Sequence, residues 1–250
     1  MTVTPSDPRI EVHEDAAELS TVVAGELLSR IADAQAAGHI PHIVLTGGSI
    51  AETIHQEVAR LTPESGVDWG AVEIWFGDER FVAPDSPDRN VGQARAAFLD
   101  AVGVPAARVH EMGSTAEFER PSDAGRAYAT VLDEHGLGME GAHTFDVVML
   151  GVGPDGHIAS LFPGHPQLDI GNKAACGVVD SPKPPPERVT MTYPTLRRGR
   201  SVWFLVSGDG KADAVAKALG GADIHDTPAA GVQGQEETIW FLDRGAASRL

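Results

Sequence analysis

The chain has 250 residues and a formal net charge of −17, a field that repels phosphate backbones and argues against nucleic acid as a partner. This length, with 42% hydrophobic residues, suits one α/β domain spanning 1–250 that buries a core without staples. Cys176 is the single cysteine, so no internal disulfide can form and a reducing, cytoplasmic setting is expected. The start Met1-Thr2-Val3-Thr4-Pro5 lacks the features of a leader, and no stretch reaches the ~20 apolar residues of a membrane span.

Arg9–Val12 reads as a short strand. Asp15 to Ala37 reads as a helix, with Leu19, Val22, Val23, Leu27, Ile31 and Ala34 on one face and Gly38 closing it. Ile43–Leu45 is an apolar strand running into Thr46-Gly47-Gly48-Ser49, and a helix follows from Ala51 to Leu61. Two glycines between a strand and a helix let the backbone approach a phosphate, towards which the free N–H groups of the helix start point. A tight turn with Ser49 as N-cap gives the same pattern. Val72–Phe76 is the next strand. It ends in a charged turn, Gly77-Asp78-Glu79-Arg80, and a polar, proline-rich loop to Asn90. Arg80 there suits a phosphate or another anionic oxygen, with the two acids fixing its fork. The alternative is a solvated turn with a surface ion pair.

Ala94–Leu99 is expected as helix, Val109–Met112 as strand and Ala124–His135 as helix. Phe145–Leu150 is an apolar strand leading into Gly151-Val152-Gly153-Pro154-Asp155-Gly156-His157. Asp155 lies two residues from His157, and a carboxylate that orients an imidazole makes it a better general base. Cys176 reads as a structural thiol at a strand entrance, and Ser181–Pro186 as a stiff loop. Val189–Tyr193 alternates weakly. Ser201–Val206 is a buried strand followed by Ser207-Gly208-Asp209-Gly210-Lys211, a helix to Leu219 and a last strand, Thr238–Leu242. Lys211 opposes the dipole of the helix it opens unless an anion compensates.

Short apolar strands alternating with helices predict an α/β fold: a parallel sheet with helices on both faces. In such sheets ligands bind outside the carboxyl ends of the strands, where the four polar loops fall. The chain has no Gly-x-x-x-x-Gly-Lys-Ser/Thr phosphate loop, no dinucleotide fingerprint after its first strand and no Gly-x-Ser-x-Gly elbow. His157 and His165 are separated by Pro163-Gly164, which breaks any helical metal pair, so neither a metal nor another cofactor is expected.

Taken together, Gly47-Gly48-Ser49, Trp75–Val82, Asn90, the long Gly151–Gly164 stretch and Pro182–Thr190 resemble the 6-phosphogluconolactonase family, in the family's order and over most of the chain. The resemblance implies a Rossmann-like, mostly parallel sheet with helices on both faces, and hydrolysis of 6-phosphoglucono-1,5-lactone to 6-phosphogluconate in the pentose phosphate pathway, without a metal. It implies His157 as base, Asp155 as its orienter, and Arg80 on the developing oxyanion or the phosphate. Gly47, Gly48, Ser49, Arg188 and Lys211 would then grip the 6-phosphate. Ile50-Ala51 and Arg89 depart from the family pattern. A glucosamine-6-phosphate deaminase/isomerase and a non-catalytic sugar-phosphate binder are the alternatives, and the oligomeric state is open.

Overall fold

The computed structural model describes residues 7–250, so Met1–Pro5, read above for a leader, lie outside the described residues. In chain order the strands are β1 (Arg9–His13), β2 (His42–Leu45), β3 (Glu73–Phe76), β4 (Asp78–Arg80), β5 (Phe145–Gly151), β6 (Ala175–Val178), β7 (Arg188–Met191), β8 (Gly199–Val206) and β9 (Glu237–Asp243). The helices are α1 (Ala16–Ala36), α2 (Ser49–Ser65), α3 (Asn90–Ala94), α4 (Asp100–Val102), α5 (Pro121–Glu134), α6 (Tyr193–Leu196) and α7 (Ala212–Leu219). Six strands form the parallel sheet that the sequence predicts, in the order β1-β9-β8-β5-β2-β3.

Helices cover both faces of this sheet because its strands are apolar at consecutive positions, and the two-residue period sends alternate side chains into two cores. Ile43, Leu45, Ile74, Phe76, Trp203 and Phe241 pack beneath α1 and α2, with Leu27, Ile31, Ile54 and Val58. Val44, Trp75, Val148, Phe204 and Trp240 pack on the other side with Tyr128 and Leu132 of α5 and Val215 of α7. Asp15 starts α1 by accepting the N–H groups of Ala17 and Glu18, both at 2.9 Å.

A second, antiparallel sheet in the order β4-β7-β6 was not legible in the sequence. It corrects the reading of Asp78-Glu79-Arg80 as a turn: these residues pair with Thr190, Val189 and Arg188. Charged residues form a strand here because the chain leaves the main sheet at Gly77 and finds a partner from the distant, weakly patterned β7. The helix expected at Ala94–Leu99 runs from Asn90 to Val102, with a π-turn over Arg95–Leu99 joining α3 and α4. Val109–Met112 is not a strand. Val109 makes a lone bridge with Ile74, His110 N–H donates to Ile74 O, and Met112 O is taken by the Arg89 guanidinium.

Candidate active site

The carboxyl ends of β2, β5 and β8 meet β4 and β7 around a cavity of about 460 Å³. Gly47, Gly48, Ser49, Arg80, His157, Arg188 and Lys211, residues scattered along the sequence, all line it. Asp155 stands behind His157 instead of lining the wall, the place of an orienting group.

The loop after β5 brings Asp155 and His157 together. Gly153 N–H donates to His157 O and Gly156 N–H to Gly153 O, both at 2.9 Å, which curls the loop on itself. A side chain at Gly153 would overlap the His157 ring and the Asp155 carboxylate, so the close packing of the pair requires glycine. Asp155 Oδ1 lies 2.5 Å from His157 Nδ1. With its proton on Nδ1, the neutral ring presents the Nε2 lone pair. Burial opposes ionisation of Asp155, but the hydrogen bond from His157, the His157 charge and the Lys183 ammonium outweigh it and pull the carboxyl well below the usual carboxylate range. Phe162 packs on the imidazole with ring centres 4.8 Å apart.

Cations surround the pair. Lys183 Nζ lies 3.3 Å from His157 Nδ1 and 3.6 Å from Asp155 Oδ1. Lys211 Nζ donates to Val152 O at 2.5 Å, which ties it to the same loop. Burial and the neighbouring Lys183 charge push the Lys211 amine below its ordinary value, against the pull of Asp155. Lys211 sits at the N-cap of α7 after a 3₁₀ turn, close to the helix start that the sequence suggests. Arg188 is buried in β7 and donates through Nε to Pro185 O (3.1 Å) and through one terminal nitrogen to Lys183 O (3.3 Å) and Pro184 O (3.1 Å). It therefore holds the loop that carries Lys183 as well as facing the cavity, and burial lowers its pKa in spite of nearby Asp78.

The glycine loop lines the same cavity. Gly48 is the N-cap of α2 at φ +101°, a left-handed conformation that a side chain would strain, so Ser49 is the first helical residue and not the cap. No side chain caps this helix, which leaves its first N–H groups free for an anion. At Gly47 a side chain would strike the carboxamide of Asn90. Asn90 Nδ2 donates to Asp78 O at 2.8 Å and lies 3.3 Å from Asp78 Oδ1, which fixes the amide and turns its buried Oδ1, without a protein partner, towards Gly47.

The acids of the charged triplet do not fix the Arg80 fork, contrary to the expectation from sequence. Asp78 accepts from Ser160 Oγ (2.5 Å) and Asn90 and lies 3.8 Å from Arg188, whereas Glu79 points the other way. Arg80 NH1 donates to Asp88 O at 2.5 Å, and its buried Nε has no protein partner. Lys183 and Asn90 are the site residues that sequence reasoning left without a role, and Asp78 holds Ser160 and Asn90 instead of Arg80. Lys183 carried one signal: it is the lone cation within the proline run Pro182–Pro186 of a strongly acidic chain. Among the described residues no group of three or more His, Cys, Asp or Glu is arranged to hold a metal.

Residues 14–240 match the family model described as glucosamine-6-phosphate isomerases/6-phosphogluconolactonase. The chain is 41% identical to the 6-phosphogluconolactonase of Streptomyces coelicolor, over 97% of this chain and 95% of that protein. It is 43% identical to the 6-phosphogluconolactonase of Mycobacterium tuberculosis, over 96% of this chain and 98% of the relative. Among solved structures, the 6-phosphogluconolactonase of Trypanosoma brucei superposes with a TM-score of 0.81 at 27% identity, covering 97% of this chain and 98% of the other.

Proposed function

The chain belongs to the glucosamine-6-phosphate isomerase/6-phosphogluconolactonase family, and from that premise we propose that His157 is its general base, oriented by Asp155. The reaction is the hydrolysis of 6-phosphoglucono-1,5-lactone to 6-phosphogluconate, the lactonase step of the pentose phosphate pathway. The observation that carries the assignment is the 2.5 Å contact between Asp155 and His157 Nδ1 at the wall of a cation-rich cavity.

A lactone is a reactive ester, so one positioned water and one base suffice. His157 Nε2 takes a proton from water as its oxygen bonds to C1, and the carbonyl electrons move onto the exocyclic oxygen. When the tetrahedral centre collapses, the bond from C1 to the ring oxygen breaks and the imidazolium returns the proton to that oxygen. Asp155 stabilises the imidazolium in between. Arg80 lines the same cavity, and in this reading its guanidinium meets the transient oxyanion, where a preorganised donor acts most strongly. The N–H groups at Gly48 and Ser49, with Arg188 and Lys211, hold the 6-phosphate and fix C1 against the base. No described helix is long and apolar enough to cross a membrane. The acidic surface and single buried thiol suit a cytoplasmic enzyme acting on a small metabolite and not on nucleic acid. Both sheets contribute to the one cavity, so we treat 1–250 as one functional unit.

The test is lactone turnover by wild type and His157→Ala, corrected for spontaneous ring opening, with glucosamine 6-phosphate assayed in parallel. The expected result is lactone hydrolysis by wild type alone. Ammonia release from the amino sugar would move the chain to the isomerase branch, and undiminished lactone turnover by the variant would remove His157 as base.

A further inference from the structure

We propose that Glu79 is a positioning residue for this reaction: one buried carboxylate that fixes Arg80 and Asn90 together in the cavity wall. The inference rests on the lactonase reading and concerns a residue that does not touch the cavity. In β4 the two-residue period turns Asp78 and Arg80 towards the cavity and Glu79 to the opposite side. There Glu79 is 1% exposed and meets the start of α3. Its Oε1 accepts from Arg80 N at 2.8 Å and from Asn90 N at 2.7 Å, and its Oε2 from Val91 N at 3.0 Å.

These bonds close a chain excursion. The segment Phe81–Arg89 leaves β4 and returns at α3, and the Glu79 carboxylate holds the backbone on both sides of it. The residues on either side, Arg80 and Asn90, are those whose side chains reach the cavity, so their separation across the wall is set from behind. The N-cap residue Arg89 gives α3 no side-chain cap, and the distant carboxylate does that work, with its charge at the positive end of the helix. Arg89 Nε lies 3.6 Å from Glu79 Oε2, beyond hydrogen-bond reach but close enough to balance the charge. Burial raises the Glu79 pKa, opposed by its backbone donors and by Arg89. A protonated carboxyl has less capacity to accept all three N–H groups, so the clamp requires the ionised form.

The test is a double-mutant cycle on lactone hydrolysis with Glu79→Gln and Arg80→Ala, measured well below the melting temperature of each variant. Glu79→Gln puts an amide donor where a carboxylate oxygen accepted, and kcat/KM is expected to fall about tenfold. In the Arg80→Ala background the same change is expected to cost distinctly less, about threefold, because one of the two groups being aimed is gone. An equal fold-loss in both backgrounds, or a lower melting temperature with unchanged kcat/KM, would make Glu79 a stabilising cap only and overturn the proposal. If the glutamine variant does not fold, Glu79→Asp keeps the charge on a shorter arm and is expected to show a smaller loss with the same non-additivity. Absence of wild-type turnover would instead refute the lactonase reading, so the two failures are distinguishable.

Discussion

The main sheet carries a histidine–carboxylate pair at each end. At the carboxyl end His157 meets Asp155 at 2.5 Å, and at the amino end His110 Nε2 meets Glu73 Oε2 at 2.8 Å. The surroundings differ. His157 borders a cavity and has Lys183 and Lys211 nearby. His110 is stacked on Trp75 with ring centres 3.7 Å apart, lies edge-to-face with His135, and shares Glu73 with Arg108. Burial lowers the His110 pKa even against the Glu73 hydrogen bond. The same pair of groups thus borders a cavity at one end and is packed under an aromatic stack at the other, and only the first leaves its imidazole room for a ligand.

The sharpest way to break this comparison is to remove each imidazole in turn. His157→Ala is expected to lower kcat by ~10²–10⁴ with little change in KM, since a base acts in the transition state. His110→Ala is expected to leave kcat within about twofold, while the melting temperature falls because the Trp75 stack and the Glu73 hydrogen bond are lost. Steady-state kinetics and calorimetry on both variants check the contrast. Similar kinetic losses would erase it.

A smaller effect is expected at the cations that line the cavity at the carboxyl end. Arg188→Ala and Lys211→Ala should each reduce the preference for the 6-phospho over the unphosphorylated lactone, by ~1.5–3 kcal/mol for a charge-assisted contact. Competition kinetics with the two lactones measures this. An unchanged preference in both variants would take them out of the phosphate site.

The amino end should show itself in the pH dependence of stability. Burial lowers the His42 pKa to about 4, and His110 is lowered for the same reason. A folded-state value below the unfolded one means that the unfolded chain gains protons first as pH falls below the ordinary imidazole value of ~6.5. Their contribution to stability is thus complete above that pH and is lost progressively towards about pH 4 for His42. Melting curves from pH 7 to 4 should show the decline, and His42→Gln should flatten it. The smallest expected effect is that of chelation. Dialysis against a chelator should leave lactone turnover unchanged, and a loss restored by zinc, magnesium or manganese would recast His157 as a ligand.

Much of this molecule was legible because local rules act on neighbouring residues. Apolar runs such as Phe145–Leu150 and Val202–Val206 marked buried parallel strands, the steps from Leu19 to Ile31 marked α1, and loops that end such strands are where ligands bind. The Asp155–His157 spacing pointed to the contact between the two side chains directly, because both groups sit in one loop. What the tertiary structure alone decided lies where partners are far apart in sequence. The Asp-Glu-Arg triplet reads as a charged turn until β7, more than a hundred residues later, pairs with it. That pairing sends Asp78 and Arg80 to the cavity and Glu79 to the start of α3. Lys183 reads as a lysine in a stiff loop until the Arg188 guanidinium gathers the carbonyls of Lys183, Pro184 and Pro185 and brings its ammonium beside His157. Periodicity and turn chemistry report a residue's immediate neighbours. Which charges face one another across a cavity is set by strand pairing and long-range hydrogen bonds, and single-residue patterns do not encode either.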